Sequence, residues 1–509
     1  MQWLNKVVDD VVAAHPEGEI IIESGVSPSG TYHVGTLREV LTCDAVLLAL
    51  KQRGRQARHI HYVDDLDPLR KVPVNVPAEY EKYLGQPYCD IPAPKGSDQS
   101  YADFFLNDFL GAAQELHMDM DVIRSHKKYR AGDMTGAIEK ALLNLDKIRQ
   151  IIEAVSGRKL GEDWAPIQVS EEGYLKNRRF VSIDTSARTI TYLDADNHEQ
   201  KISYAHGEVK LNWRVDWPAR WWMLNVKVEP FGRDHATKGG SYDTGAAIAK
   251  DIFDSDPPYP VPYNFINLTG ETKKMSKSTG NIIAISDLTK VLPPEVVRYF
   301  TLRYSPDKQI FFDQVNGVIK LIDDYAQLLS KEAKTDDDNM LLKICSVGED
   351  TLVSSIPFSH LVASYQAALK DPDKTLDVLS RTEYAPAVER EREVIKKELA
   401  FINRWLEKWA PEDAKFDLLD LAKKDDFNPE AQEYLLTLAQ IIEQAPADAD
   451  GEWFHKAIYE IKEHNNLSPE QIFKPLYQAL IGKDSGPRAG WFLSILPREW
   501  LVNRLKLEA

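Results

Sequence analysis

The stretch from Glu19 to Val63 constrains the fold more than any other. Glu19–Val26 (EIIIESGV) is an apolar, β-branched run and predicts a strand. The turn-forming residues Ser27-Pro28-Ser29-Gly30 follow it. From Leu37, the sequence LREVLTCDAVLLALKQRG places apolar side chains at helical spacing and stops at Gly54. A second run, Arg58–Val63 (RHIHYV), comes at once and ends in the acidic loop DDLDPLRKVP. Strand, helix and strand at this spacing form a βαβ unit and predict a parallel sheet. Open sheets of this kind bind ligands beyond the carboxyl ends of their strands, so chemistry is sought there.

The rest of the chain organises around that unit. At 509 residues it exceeds what one core holds, so several domains are expected. Residues 72–100 are rich in Pro, Tyr and Gly and read as an irregular loop, followed by helices around Tyr101–Leu116 and Thr135–Ala154. Within 165–215, RRFVSIDTSARTITYLDADNHEQKISYA alternates apolar and polar residues between turn signals, which predicts a small β-rich insertion. The apolar runs Trp222–Val228 and Tyr263–Leu268 are expected to resume the sheet. From about Asp287 the periodicity is helical, with breaks near Pro357, Pro411 and Pro446.

Several function classes are excluded on composition. Apolar stretches are as short as Val46–Leu50, so no membrane-spanning helix is expected. The start, MQWLNKVVDDVVAAHPEGE, is acidic and amphipathic and lacks a secretory pattern, which points to the cytoplasm. Three cysteines, Cys43, Cys89 and Cys345, are too few for a disulfide framework or a four-thiolate zinc site. The net charge of −17 disfavours indiscriminate coating of nucleic acid. The charge is uneven, at −11 over residues 331–450 and +1 over 451–509. Screening beyond roughly 8–10 Å in physiological salt leaves one face able to take a polyanion.

Two segments carry chemistry. Ser27-Pro28-Ser29-Gly30-Thr31-Tyr32-His33-Val34-Gly35-Thr36 lies between the first strand and its helix. Backbone N–H groups and the helix dipole make an anion site there; Gly30 and Gly35 permit close approach, and His33 and Thr36 can reach one bound phosphate. The same residues would serve equally as a turn and a helix cap. The second segment is Lys273-Lys274-Met275-Ser276-Lys277-Ser278-Thr279-Gly280-Asn281. Its lysines, hydroxyl residues and Gly suit a cationic loop that closes on a polyphosphate, and equally a solvated basic turn. Lys277 follows His33 by 244 positions, so the two segments bracket the split α/β region.

Together they resemble the signature pair of class I aminoacyl-tRNA synthetases. PSGTYHVGT is similar to the HIGH signature, with Val34 in place of Ile and Thr36 in place of the second His, and Lys274–Ser278 reads KMSKS letter for letter. DDLDPLRKVP (64–73), NWRVDWPARWWML (212–224), EPFGRDHATKGGSYDTG (229–245) and IGKDSGPRAG (481–490) narrow the resemblance to the class I lysyl-tRNA synthetases.

The resemblance implies an α/β class I Rossmann-type catalytic domain with a connecting insertion, helical plus a small β part, followed by an all-α C-terminal half. Its implied limits are 1–90 and 216–290 for the catalytic halves, 91–215 for the insertion, 291–360 for a stem-contact region and 361–509 for anticodon binding. It implies a monomer that uses ATP with Mg²⁺ and joins L-lysine to tRNA(Lys). His33, Thr36, Lys274 and Lys277 are the expected catalytic residues. ATP would lie on Ser27, Pro28, Ser29, Gly30, Gly35, Met275, Ser276 and Ser278 as well. Gly30, Thr31, Trp221, Trp222, Asp234, His235 and Tyr263 are candidate lysine contacts, since an ammonium needs an acidic partner and gains from an aromatic face. Asp64, Asp65 and Asp67 suit either a substrate amine or a helix cap. A glutamyl-type synthetase and an inactive tRNA-binding paralogue are the alternatives.

One departure from the family is expected to matter. The family's insertion resembles a zinc ribbon with paired cysteines, whereas residues 165–210 contain none and offer only His198 and His206. The insertion is therefore expected to fold without zinc, on Phe180, Ile183, Ile190, Tyr192 and Ile202. In the helical half, Arg404, Trp405, Trp409, Arg488, Trp491 and Arg498 suit either RNA contact or packing.

Overall fold

The computed structural model describes residues 1–94, 96–270, 282–348, 351–419 and 421–507. The described chain divides into two compact units. The first holds 1–289, 297–312 and 335–346; the second holds 290–296, 313–334 and 347–509.

The first unit is built on the expected βαβ element. Strand β1 (Ile20–Val26) leads through the Ser27–His33 turn into the helix Val34–Gln52, and β2 (Ala57–Val63) pairs with β1 in parallel along its whole length. The helix is apolar nearly all round and is correspondingly buried over most of its length, so the sheet and further helices cover it. The helix Tyr101–Glu115 follows, and then β3 (Asp121–Arg124) adds beside β2. The parallel sheet thus continues past residue 90. A four-residue strand is too short to leave a periodic signal.

The chain then enters the insertion. Helices Thr135–Leu143 and Leu145–Ser156 precede strands β4 (Ile167–Glu171), β5 (Tyr174–Asn177), β6 (Arg179–Asp184), β7 (Thr189–Leu193), β8 (Glu199–Ser203) and β9 (Val209–Leu211). They form two antiparallel sheets, β5-β4-β9 and β6-β7-β8. Ile190 and Tyr192 are buried, with Phe180, Ile183 and Ile202 packed beside them.

The return to the main sheet differs from expectation. Trp213–Leu224 is a helix, closed by Asn225 in the left-handed conformation, and only then does β10 (Val226–Gly232) begin. The run Trp222–Val228 is thus two elements, a helix end and a strand start, because the positive φ of Asn225 interrupts it. Strand β11 (Tyr259–Tyr263) completes a parallel sheet ordered β11-β10-β1-β2-β3. The run Tyr263–Leu268 also splits: β12 (Ile266–Leu268) pairs instead with β13 (Ile310–Phe312). Arg38, on the helix after β1, is buried and donates to the carbonyls of Thr301 and Ser305, which fixes the 297–312 segment to that helix.

The second unit is helical. Helices Pro429–Glu443, Gly451–His464, Pro469–Ile481, Ala489–Ile495 and Arg498–Leu505 close around Leu435, Leu438, Ile458, Leu476, Phe492 and Leu501. Among the described residues no helix is long and apolar enough to cross a membrane.

Candidate active site

In the five-stranded sheet, β2 and β3 build outward from one side of β1, and β10 and β11 from the other. The strand order therefore reverses between β1 and β10, where a doubly wound sheet opens a crevice at its carboxyl end. A cavity of about 400 Å³ lies there, lined by Gly25, Val26 and Ser27 of β1 and its turn, Pro230–Gly232 of β10, and Tyr263 at the end of β11.

The helix Trp213–Leu224 covers this face of the sheet and explains its polarity. Trp217 and Trp221, one turn apart, donate their indole N–H groups to the two oxygens of Glu229, at 2.8 and 3.1 Å. Asp216 and Arg220, also one turn apart, pair at 3.5 Å, and Arg220 reaches Glu23 at 3.8 Å while lying 4.3 Å over the Tyr62 ring. Glu23 and Glu229 lie on the adjacent strands β1 and β10 and are buried. A charge inside a strand costs free energy unless it is partnered, so these two acids in apolar runs mark the site.

The cavity wall is acid-rich. Glu39, Asp64, Asp67, Glu229 and Asp234 line it against Arg70 and Arg220. Glu39 accepts the Gly25 N–H at 2.8 Å and the Tyr263 O–H at 2.6 Å. Asp64 and Asp67 pair with the buried Lys210 of β9, at 3.3 and 3.0 Å. Burial pushes the carboxyls of Glu23, Glu39 and Asp64 up to about 7, and that of Glu229 well above its ordinary range. Crowding reinforces this: Asp67 acts on Asp64, and Glu23 acts on Glu229. Asp65 differs. Burial alone would raise it, yet hydrogen bonds and charge from His126 and Arg124 hold it low, and it serves to fix β3.

The neighbouring turn is held from several directions. The Ser27 hydroxyl donates to Asp67 at 3.2 Å, and the Tyr101 hydroxyl donates to the Ser29 carbonyl at 2.9 Å. His33 caps the following helix, its Nδ1 accepting the Gly35 N–H at 3.1 Å. A neutral ring bonded this way carries its proton on Nε2. The Val34 N–H bonds the Ile283 carbonyl and the Ile285 N–H bonds the Tyr32 carbonyl, at 2.9 and 3.1 Å. The residues immediately after Asn281 are thereby attached to the His33 turn. Lys274, Met275, Ser276, Lys277 and Ser278 lie outside the described residues.

Comparison with known proteins then decides the family. The description "tRNA synthetases class I (K)" matches residues 1–346, and "Anticodon binding domain" matches 394–508. A lysine–tRNA ligase of Methanosarcina barkeri is 36% identical over 99% of this chain and 97% of its own. One from Archaeoglobus fulgidus is 36% identical over 99% of both, and one from Pyrococcus horikoshii 32% identical over the whole of both. The chain belongs to the class I lysyl-tRNA synthetases.

In this class I synthetase the cavity gathers some of the expected residues and not others. Ser27, Asp234, His235 and Tyr263 line it. Trp221 stands behind the wall, acting through Glu229, and Trp222 lies on another side of its helix, stacked on Phe253 with Lys140 5.4 Å above its ring. The aromatic wall is instead Trp213 and Trp217, each edge-on to His235. Thr31 accepts from Asn75 at 2.8 Å, and neither it nor Gly30 is part of the cavity lining. Glu39, Glu229 and Arg220 were not anticipated. Glu229 was readable as a charge in the apolar strand VKVEPF, whereas nothing local marks Glu39 on its helix.

A wider groove of about 1040 Å³ shares Arg70 and Trp213 with the cavity and runs along the insertion. Arg158, Arg178, Arg179 and Arg214 line it with the indole of Trp164. In the helical unit of the synthetase, Trp405 is fully buried and Trp491 stacks on His360 at 4.3 Å, while Arg404 and Arg498 bond backbone carbonyls. These four serve packing and chain fixation.

Proposed function

We propose that the chain is a lysine–tRNA ligase that activates L-lysine with ATP and transfers it to the 3′ end of tRNA(Lys). The observation that carries this reading is the acid-rich, indole-walled cavity at the strand-order reversal, opening beside a helix N-terminus. A cationic side chain gains from such a wall, and a glutamate side chain would be repelled by it. The relatives named lysine–tRNA ligase along the whole chain support the same substrate.

In the first step an oxygen of the lysine carboxylate attacks the α-phosphorus of ATP. An acyl–phosphate bond forms, the bond to the β-phosphate breaks, and pyrophosphate leaves. In the second step the terminal ribose hydroxyl of tRNA attacks the acyl carbon and AMP leaves. The protein's part is positioning and charge stabilisation. The α-ammonium and side chain of lysine enter between Glu39, Asp234 and the Trp213–Trp217 wall. His33 Nε2–H, the Thr36 hydroxyl and the first N–H groups of the Val34–Gln52 helix hold phosphate oxygens. Lys274 and Lys277 take the departing pyrophosphate, with Lys277 the larger contributor.

Magnesium enters with the nucleotide. Among the described residues the one group of ligands close enough for a metal is Asp194, Asp196 and His198, and there Asp194 already caps its own turn by accepting from the N–H groups of Asp196 and His198. The arginines and indoles of the wider groove suit phosphates and stacked bases of a single-stranded RNA end.

Pyrophosphate release tests the reading. With tRNA present throughout, it should require both ATP and lysine and should not respond to glutamate. Release that is indifferent to lysine would overturn it.

A further inference from the structure

Lys210 is fully buried in the middle of β9, a three-residue strand supplied by the insertion. Its ammonium lies 3.0 Å from Asp67 Oδ1 and 3.3 Å from Asp64 Oδ1, and 5.7 Å from the centre of the Tyr129 ring. The other oxygen of Asp67 accepts the Ser27 hydroxyl at the start of the phosphate turn. Asp64 and Asp67 also form part of the cavity wall. One side chain of the insertion thus reaches both the wall and, through Asp67, the turn.

Stability does not account for this arrangement. A buried ion cluster gains little over well-packed apolar residues, because desolvation offsets the attraction. What the cluster does supply is an assignment of charges. With Lys210 in place Asp64 and Asp67 are already paired, whereas Glu39 accepts from the neutral Gly25 N–H and Tyr263 O–H. A substrate ammonium is therefore directed to Glu39.

We propose that Lys210 is a positioning residue of the reaction. It occupies the Asp64–Asp67 pair as a resident ammonium, holds Asp67 against Ser27, and so fixes the depth at which the substrate amine sits relative to the phosphate turn. The inference rests on the lysylation reading, because activity is its readout. A parent protein that fails to charge lysine would dispose of that reading, whereas the result for Lys210 is read only against an active parent.

The test is Lys210→Met in the full chain, with and without added ammonium, which fits the one-atom gap that the shorter methionine leaves. Without the resident cation the substrate ammonium is drawn to Asp64 and Asp67 and binds out of position. A misplacement of about 1 Å costs on the order of 10²-fold, so kcat should fall by about that factor while the KM for lysine does not rise. Ammonium should restore part of kcat in a saturable manner without changing the melting temperature. A kcat within a few-fold of the parent would overturn the proposal, as would a loss that ammonium leaves untouched. Should Lys210→Met fail to fold, the variant Asp64→Asn/Asp67→Asn/Lys210→Met removes the ammonium and both of its partner carboxylates, leaving Asp216 paired with Arg220. The proposal expects it folded, inactive and unresponsive to ammonium. Near-parent activity, or failure of this variant to fold too, would make the cluster structural and overturn the assignment.

Discussion

Glu39 takes the Gly25 N–H on one oxygen and the Tyr263 O–H on the other, and neither donor is charged. It lines the acid-rich cavity, so Glu39→Gln removes charge while leaving shape. A hydrogen bond to a charged group contributes about 1.5–3 kcal/mol, which predicts a lysine KM raised by roughly 10- to 150-fold. The KM for ATP should stay within a few-fold. Steady-state kinetics check this, and an unchanged lysine KM would remove Glu39 from the site. The pH dependence follows from the same wall. Burial pushes Glu39 and Asp64 of the wall, and Glu23 behind it, up to about 7, so these groups keep protons that an ordinary carboxylate loses. An ammonium beside Glu39 favours its ionised form. Lysine should therefore bind more tightly as pH rises from 6 to 8 and should release protons on binding. Calorimetry in two buffers of different ionisation enthalpy measures the release; norleucine, which lacks the side-chain amine, should release fewer. For the ligand-free protein the sign reverses. These raised carboxyls stay protonated in the fold while the unfolded chain ionises, so their contribution to stability falls as pH rises from about 4.5 to 7.

At the scale of elements, the segments with strong periodicity were legible. The β1–helix–β2 unit, the β-rich insertion and the helical half all announce themselves through regular spacing of apolar residues. The elements that escaped do so for physical reasons. Strand β3 is four residues long, and the apolar run across Asn225 hides a helix end against a strand start. The cavity was legible where a motif marks it, as at Ser27 and Asp234, or where neighbours in sequence stay neighbours in space. It was not legible at Glu39, which meets Tyr263 across 224 positions. Trp222 misled because adjacent residues of a helix point to different sides, so that a Trp pair cannot both face one cavity. The helical unit supplies its own prediction. Trp405 is fully buried and edge-on to Phe358 at 5.7 Å. Trp405→Ala should lower unfolding free energy by about 3–5 kcal/mol, read as a fall in the denaturant midpoint. A midpoint within error of the parent would show that this core repacks freely.

Over the whole molecule, the proposed mechanism needs the acid-rich cavity, the Ser27–His33 turn and the lysine-bearing segment, whose following residues bond to that turn. Lys277→Ala should slow the first step by roughly 10²–10³-fold, the effect of losing one transition-state contact, with little change in lysine affinity. Single-turnover pyrophosphate release measures it, and a rate within a few-fold of the parent would remove Lys277 from the mechanism. The central claim is that the acid-rich cavity of this class I synthetase selects lysine for transfer to tRNA. Charging of total tRNA with radiolabelled lysine and, in parallel, glutamate tests it most directly, with ATP and tRNA present throughout. Labelled lysine should appear on tRNA, and no label should appear from glutamate. Glutamate charging would show that the cavity does not act as a cation site, and charging with neither would leave a tRNA-binding protein without the activity.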